Sequence, residues 1–141
     1  MTQAVKTARE IRADLARIVE GSLKGQRILL AEDEPLIAMY LKDELERVGA
    51  TVVGPVAHLA DGMRCYETAS DIDAAILDVD LGKHDVFPLA RRLVCDGVPM
   101  VFHTGRRDHR CLNGEFASTP VCPKPATIER LVFQVAGILR H

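Results

Sequence analysis

The chain has 141 residues, of which 48% are apolar and 27% charged, a balance typical of one globular domain rather than a disordered chain. Its formal net charge of −2 gives no global electrostatic reason to expect nucleic acid or an anionic membrane as a partner. Residues 1–24 lack the apolar core of a signal peptide, and no apolar run reaches membrane-spanning length. The four scattered cysteines form no Cys-x-x-Cys pair, so we expect reduced thiols and a cytoplasmic location.

The first predicted element is an amphipathic helix over residues 3–20. Its apolar positions recur at alternating spacings of four and three, at Ala4, Ala8, Ile11, Leu15 and Ile18. Gly21 and Gly25 then break the pattern, so residues 1–25 are predicted as helix and linker and residues 26–141 as a separate domain. A helix this short is marginal alone in water, so it should pack on its own domain or on the same helix of a second chain. We favour the second arrangement, a homodimer.

From Arg27 onwards, short apolar runs alternate with segments of helical periodicity. Five strands are predicted, at 28–31, 51–53, 74–77, 100–102 and 121–122. The second of them should stop at Gly54-Pro55. Helices are predicted at 35–48, 59–68, 85–95 and, after the last strand, 128–139, whereas 105–119 should be short or irregular. The first of these helices has a predicted inward face made of Leu36, Ile37, Tyr40, Leu41, Leu45 and Val48.

This alternation predicts an α/β fold with a parallel sheet covered by helices on both faces. Function in such sheets gathers beyond the carboxyl ends of the strands. Polar residues follow four of the five predicted strands at that end, namely Glu32-Asp33, Asp78, Thr104 and Lys124. We therefore expect these side chains to converge on one rim of the sheet.

The residue types at that rim suit phosphoryl transfer. Crowded carboxylates repel one another unless a cation neutralises them, and oxygen-rich clusters suit Mg²⁺. A carboxylate such as Asp78 can act as a nucleophile and form an aspartyl phosphate. Lys124 would bring positive charge to the phosphoryl oxygens, and Thr104 a hydroxyl donor.

In this order along the chain, the same residues resemble the signature of response-regulator receiver domains over residues 27–139. The stretches 53–56, 75–81 and 98–105 are similar to one bacterial single-domain subgroup, whose fourth strand ends in Phe-x-Thr-Gly and which often pairs with kinases of the HWE type. The resemblance implies a flavodoxin-like, doubly wound five-stranded sheet. It also implies that Asp78 is the phosphoacceptor, that Thr104 and Lys124 contact the phosphoryl group, and that Lys124-Pro125 is often a cis bond. Mg²⁺ would be bound by Glu32, Asp33, Asp78 and the backbone carbonyl of Asp80.

The expected function is a stand-alone, phosphorylation-dependent switch for protein interactions, with a sensor histidine kinase or a phosphotransfer protein as donor. The chain would not be an enzyme beyond catalysing its own phosphorylation and dephosphorylation. Several positions depart from the family pattern. Val121 replaces the usual aromatic switch residue, and His103 and Arg106 replace the alanine and tyrosine of the subgroup. Pro123 and Ala126 flank Lys124-Pro125 in place of more usual residues, and Gly82 stands where many receivers have proline.

Two alternatives stay open at this point. Asp78 and Asp80 after an apolar strand, followed by a threonine and a lysine, also resemble a haloacid-dehalogenase-like phosphatase. The departures at the switch positions leave room for a receiver-like scaffold that is never phosphorylated.

Overall fold

Five parallel strands form the central sheet of the computed structural model, which describes residues 5–11, 13, 23–105 and 114–139. They are β1 (Arg27–Ala31), β2 (Thr51–Val56), β3 (Ala74–Leu77), β6 (Met100–Thr104) and β7 (Val121–Pro123). Their order across the sheet is β2-β1-β3-β6-β7, and every neighbouring pair is parallel. The predicted doubly wound, flavodoxin-like α/β fold is confirmed, because the strand order reverses direction between β1 and β3.

Four helices cover the two faces of the sheet. They are α1 (Pro35–Arg47), α2 (Leu59–Thr68), α3 (Phe87–Cys95) and α4 (Ile128–Leu139), and a single 3₁₀ turn spans Gly114–Phe116. Alternate strand residues enter two separate cores: Leu30 and Ile76 pack with α1 and α4, whereas Leu29 and Leu77 pack with α2 and α3. Among the described residues, no helix is both long and apolar enough to cross a membrane.

A small antiparallel hairpin directly after β3 was not predicted. It pairs β4 (Asp80–Leu81) with β5 (His84–Asp85). Gly82 makes the turn at a φ of 63°, a left-handed conformation that glycine adopts without a steric penalty. The hairpin therefore lies immediately beside the carboxyl end of β3.

The prediction that β2 stops at Gly54-Pro55 is wrong, because the strand continues to Val56. The pairing of β1 with β2 shifts register between Leu29 and Ala31, and this irregularity accommodates the Gly-Pro pair. Gly54 has a φ of 105°, and a Cβ there would lie 2.8 Å from the Leu30 carbonyl oxygen. Beyond the irregularity, the Glu32 amide donates to the Val56 carbonyl, so β2 still supports the end of β1.

The predicted inward face of α1 is wrong at two positions. Leu36 is 84% exposed and Tyr40 is 50% exposed, whereas Leu41 and Leu45 are buried. On a helical wheel of about 100° per residue, Tyr40 lies about 100° and Leu36 about 140° from Leu41. Both side chains are therefore directed away from the sheet, and apolar character alone made the predicted face too wide.

Most of the predicted N-terminal helix, residues 3–20, falls outside the described residues. Residues 8–11 and 13 are helical, and every described residue up to 13 is exposed. Leu23, by contrast, is fully buried in the core next to α1 and α4. The predicted domain division after residue 25 stays a prediction, but the packed core already includes Leu23.

Candidate functional site

The predicted site residues meet at the carboxyl edge of the sheet, where the strand order reverses. Glu32 and Asp33 follow β1, Asp78 follows β3, Thr104 ends β6 and Lys124 follows β7. All of them except Glu32 line a cavity of about 380 Å³, whose walls are Asp33, Glu34, Asp78, Asp80, Thr104, Gly105 and Lys124. The sequence order therefore identified residues that the fold places around one cavity.

Lys124 is the central cation among the described residues of this cavity. Its Nζ lies 2.8 Å from Asp78 Oδ2 and 2.7 Å from Glu32 Oε1. The Lys124 side chain is 14% exposed, and those of Glu32 and Asp78 are 1% and 7% exposed. One ammonium group is thus shared by two buried carboxylates from different strands, and the cluster keeps an excess of negative charge.

The pKa of Glu32 is raised to about 7, chiefly by burial. The Lys124 ammonium lowers this pKa, whereas neighbouring Asp78 contributes to the rise. Its Oε2 accepts a hydrogen bond from the Glu34 amide at 3.2 Å. Its Oε1 is buried, and among the described residues no donor reaches it with hydrogen-bond geometry despite the close ion pair. A cation could satisfy this oxygen.

Three carboxylates fit a divalent cation. One oxygen each from Glu32, Asp33 and Asp78 lies within 4.8 Å of the others. Asp33 is held by the hairpin, because the Gly82 amide donates to its Oδ2 at 3.1 Å. Asp78 Oδ1 accepts from the Asp80 amide at 3.2 Å, which aligns the backbone after β3 with the site. Hard carboxylate oxygens in this number are ligands that suit Mg²⁺, with the remaining positions left for water or phosphate.

A backbone hydrogen bond joins the ends of β6 and β7 at Thr104 and Lys124. The Lys124 amide donates to the Thr104 carbonyl at 2.9 Å, and Thr104 itself is buried. A Cβ at Gly105 would lie 3.9 Å from Lys124 Cβ, so the glycine leaves the base of the lysine uncovered. The Lys124-Pro125 bond is cis, as the resemblance implied.

Val121 stands where receivers usually have an aromatic residue, and it is half-buried opposite Phe102. Three phenylalanine rings instead form a cluster on the α2 and α3 side of the sheet. Phe87 stacks on Phe116 with ring centroids 5.3 Å apart, and Phe102 meets both rings edge-on. This cluster joins the end of β6 to α3 and to the 3₁₀ turn.

Sequence reasoning missed a role for His103. The residue precedes Thr104 on β6 and is 5% exposed. Its pKa is lowered to about 4, chiefly by burial and also by the nearby Lys124 charge, while Asp78 opposes the shift. The only signal in the sequence was that His103 departs from the subgroup pattern. Arg106, the other departure from the subgroup pattern, lies outside the described residues.

Solved structures of receivers resemble this fold. SdrG from Sphingomonas melonis Fr1 is 40% identical with a TM-score of 0.70, and the match covers 82% of this chain and 97% of that chain. The response regulator PhyR from Brucella abortus is 25% identical with a TM-score of 0.73, and the match covers 96% of this chain but 57% of PhyR.

Curated relatives agree with the structural matches. The transcriptional activator protein IrlR of Burkholderia pseudomallei is 35% identical over 118 residues, and the response regulator GraR of Staphylococcus epidermidis is 30% identical over 118 residues. Each match covers 82% of this chain, and the chain spans about half the length of these relatives, 51% of IrlR and 52% of GraR. No family model matches the chain.

The order β2-β1-β3-β6-β7 of the parallel sheet is that of the CheY-like receiver fold. The chain belongs to the response-regulator receiver family, because SdrG matches it at 40% identity over nearly the whole of the SdrG chain. Response-regulator receivers are components of two-component signalling, and the chain is therefore assigned to that class of proteins.

Proposed function

We propose that this chain is a stand-alone receiver that accepts a phosphoryl group on Asp78 from a histidine kinase, with Mg²⁺ as cofactor. The observation that carries the proposal is the position of Lys124 Nζ, 2.8 Å from Asp78 Oδ2 and 2.7 Å from Glu32 Oε1. An ammonium beside an acceptor carboxylate is placed to neutralise a phosphoryl group added to that carboxylate. The open cavity above Asp78 gives a donor access to it.

In the proposed reaction, an Asp78 oxygen forms a bond to phosphorus while the phosphorus–nitrogen bond of a phosphohistidine breaks. The histidine nitrogen keeps the electron pair of the broken bond. Glu32, Asp33, Asp78 and the Asp80 carbonyl would hold Mg²⁺, which when bound offsets the negative charge of the carboxylates and the phosphoryl oxygens. Lys124 moves its charge from the carboxylates towards the new phosphoryl group, and the Thr104 hydroxyl donates to another phosphoryl oxygen.

Incubation with acetyl phosphate, with and without Mg²⁺, tests this chemistry by intact mass. We expect one phosphoryl group per chain with Mg²⁺ and almost none after chelation with EDTA. A haloacid-dehalogenase-like phosphatase would instead turn over p-nitrophenyl phosphate many times without lasting modification. Absence of modification under all conditions would favour the scaffold alternative.

Several finer proposals concern the partners. The match to SdrG over 97% of that chain supports a receiver that acts without an attached output domain. Sensor histidine kinases of the HWE type are the first donors to test, because the subgroup that the motifs resemble is often paired with them. Cys65, Cys95 and Cys122 are free thiols, which suits a cytoplasmic location.

The N-terminal segment is the proposed dimerisation element. Ile11 is 48% exposed and Ala8 is also exposed, so this part of the predicted stripe is not buried on its own domain. Light scattering should compare the full chain with a variant lacking residues 1–20, which keeps the buried Leu23. We expect phosphodonor to increase dimer formation only in the full chain. Monomers in every condition would contradict a dimer.

A further inference from the structure

His103 lies in a row of side chains that crosses four strands at the base of the site. Ala31 pairs with Leu77, and Leu77 pairs with Phe102, so the next residue on each strand continues the same row. His103 also pairs with Cys122 on β7. Because side chains alternate between faces, this row points to the side of α1 and α4. Its members, in order across the sheet, are Glu32, Asp78, His103 and Cys122.

The Lys124 side chain must pass over this row. Lys124 follows β7, whereas its two carboxylate partners follow β3 and β1, and β6 lies between β7 and β3. Neighbouring strands are about 4.8 Å apart, so the lysine stem has to extend across the end of β6 to reach Asp78. The β6 residue that points to this face at the level of Asp78 is His103.

The surroundings of His103 agree with this placement. The imidazole is 5% exposed and senses both the Lys124 ammonium and the Asp78 carboxylate. Burial keeps it in the neutral form, so it adds bulk and polarity beneath the lysine without a second positive charge. Cys122, its neighbour in the row, is fully buried, and burial raises the pKa of its thiol while Arg130 opposes the rise.

We propose that His103 is a positioning residue for Lys124. Its imidazole supports the lysine stem where it crosses β6 and holds the ammonium against Asp78 and Glu32. A free lysine side chain populates many rotamers, and a side chain already held in place loses less conformational entropy when it binds an anion. The effect on phosphorylation rests on the proposed function, whereas the contact between His103 and Lys124 does not.

A double-mutant cycle tests the proposal. His103→Ala, Lys124→Met, the double variant and the wild type are phosphorylated with acetyl phosphate at saturating Mg²⁺, and their rate constants are compared. We expect His103→Ala to slow phosphorylation by about tenfold when Lys124 is present and by less than twofold when it is Met. His103→Gln, which keeps a neutral polar side chain, should recover most of the rate. Cys122→Ala, in the same row, should stay within about twofold of wild type.

An equal slowing in both Lys124 backgrounds would overturn the proposal, because it would mean that His103 acts on the fold in general. A second cycle measures urea unfolding midpoints without any phosphodonor and uses Lys124→Ala, because methionine would keep the stem that His103 contacts. There we expect His103→Ala to shift the midpoint less in the Lys124→Ala background than in wild type, and additive shifts would count against the contact. If the wild type is never phosphorylated, the proposed function fails while the unfolding cycle still decides the role of His103.

Discussion

Replacing Lys124 by methionine removes the ammonium shared by Glu32 and Asp78 and keeps most of the aliphatic stem. Each of the two ion-pair distances, 2.7 and 2.8 Å, corresponds to roughly 6 kcal/mol of gross attraction at an effective dielectric constant of about 20. Desolvation of the lysine and repulsion between the carboxylates offset most of that. Loss of one partner from a buried pair costs about 3–5 kcal/mol, and we expect about 3 here because Lys124 retains some exposure.

The loss of stability caused by Lys124→Met should depend on pH, because Glu32 can take up a proton. Its pKa in the folded protein is already about 7, above the ordinary value of 4.5, and loss of the ammonium raises it further. A raised carboxyl pKa means that the folded state binds more protons than the unfolded state, so stability falls as pH rises through this window. The destabilisation by Lys124→Met should therefore be about 3 kcal/mol at pH 8 and about 1.5 kcal/mol at pH 5.5.

Urea unfolding at both pH values measures this difference. Lys42→Met is the matched control, because Lys42 pairs with Glu46 at 3.0 Å while both side chains are about 40% exposed. It should cost less than about 0.5 kcal/mol at either pH. Mg²⁺ should stabilise Lys124→Met more than wild type, since a cation no longer competes with the ammonium. An identical loss at pH 5.5 and pH 8 would refute this account of the cluster.

The remaining predictions concern a titrating side chain, an aromatic core and a backbone position. The pKa of His103 is about 4 in the folded protein, below its ordinary value of 6.5. The unfolded state therefore binds more protons at this side chain, and the protein loses stability as the pH falls from 6.5 to 4. His103→Gln should therefore gain stability relative to wild type between pH 7 and pH 4, by up to about 3 kcal/mol in urea titrations, and a constant difference would contradict the shift. Phe116→Ala should lower the free energy of unfolding by about 3–5 kcal/mol, whereas Phe133→Ala, at a 45% exposed position, should lower it by less than about 1 kcal/mol. Equal losses would contradict a stabilising role for the aromatic cluster. Gly54→Ala should lower the thermal midpoint far more than Gly97→Ala, because both have positive φ but only a Gly54 Cβ meets backbone, and similar midpoints would contradict the close approach.

The sequence predicted the strands well because each buried strand is a short apolar run followed by a polar residue. The run from Ala74 to Leu77 is buried at every position, and its end is marked by Asp78. Since parallel strands end on one edge, the order of polar residues along the chain was enough to predict their convergence.

Features that depend on tertiary neighbours were beyond the sequence. Each strand of the hairpin around Gly82 has two residues, too few to show a period. Leu36 and Tyr40 are apolar enough to suggest burial, but which face of α1 meets the sheet is decided by packing. The position of His103 beside Asp78 depends on strand register, and register is not encoded in periodicity alone.

Mapping the modified residue tests the central claim most directly. Wild type, Asp78→Asn and Asp80→Asn would be treated with acetyl phosphate and Mg²⁺, then digested and examined by peptide mass spectrometry. The two aspartates are two residues apart, but Asp78 is buried beside Lys124, whereas Asp80 is exposed at the start of the hairpin. We predict modification of Asp78 in wild type and in Asp80→Asn, and none in Asp78→Asn. Undiminished labelling of Asp78→Asn would contradict the assignment of Asp78 as the phosphoacceptor.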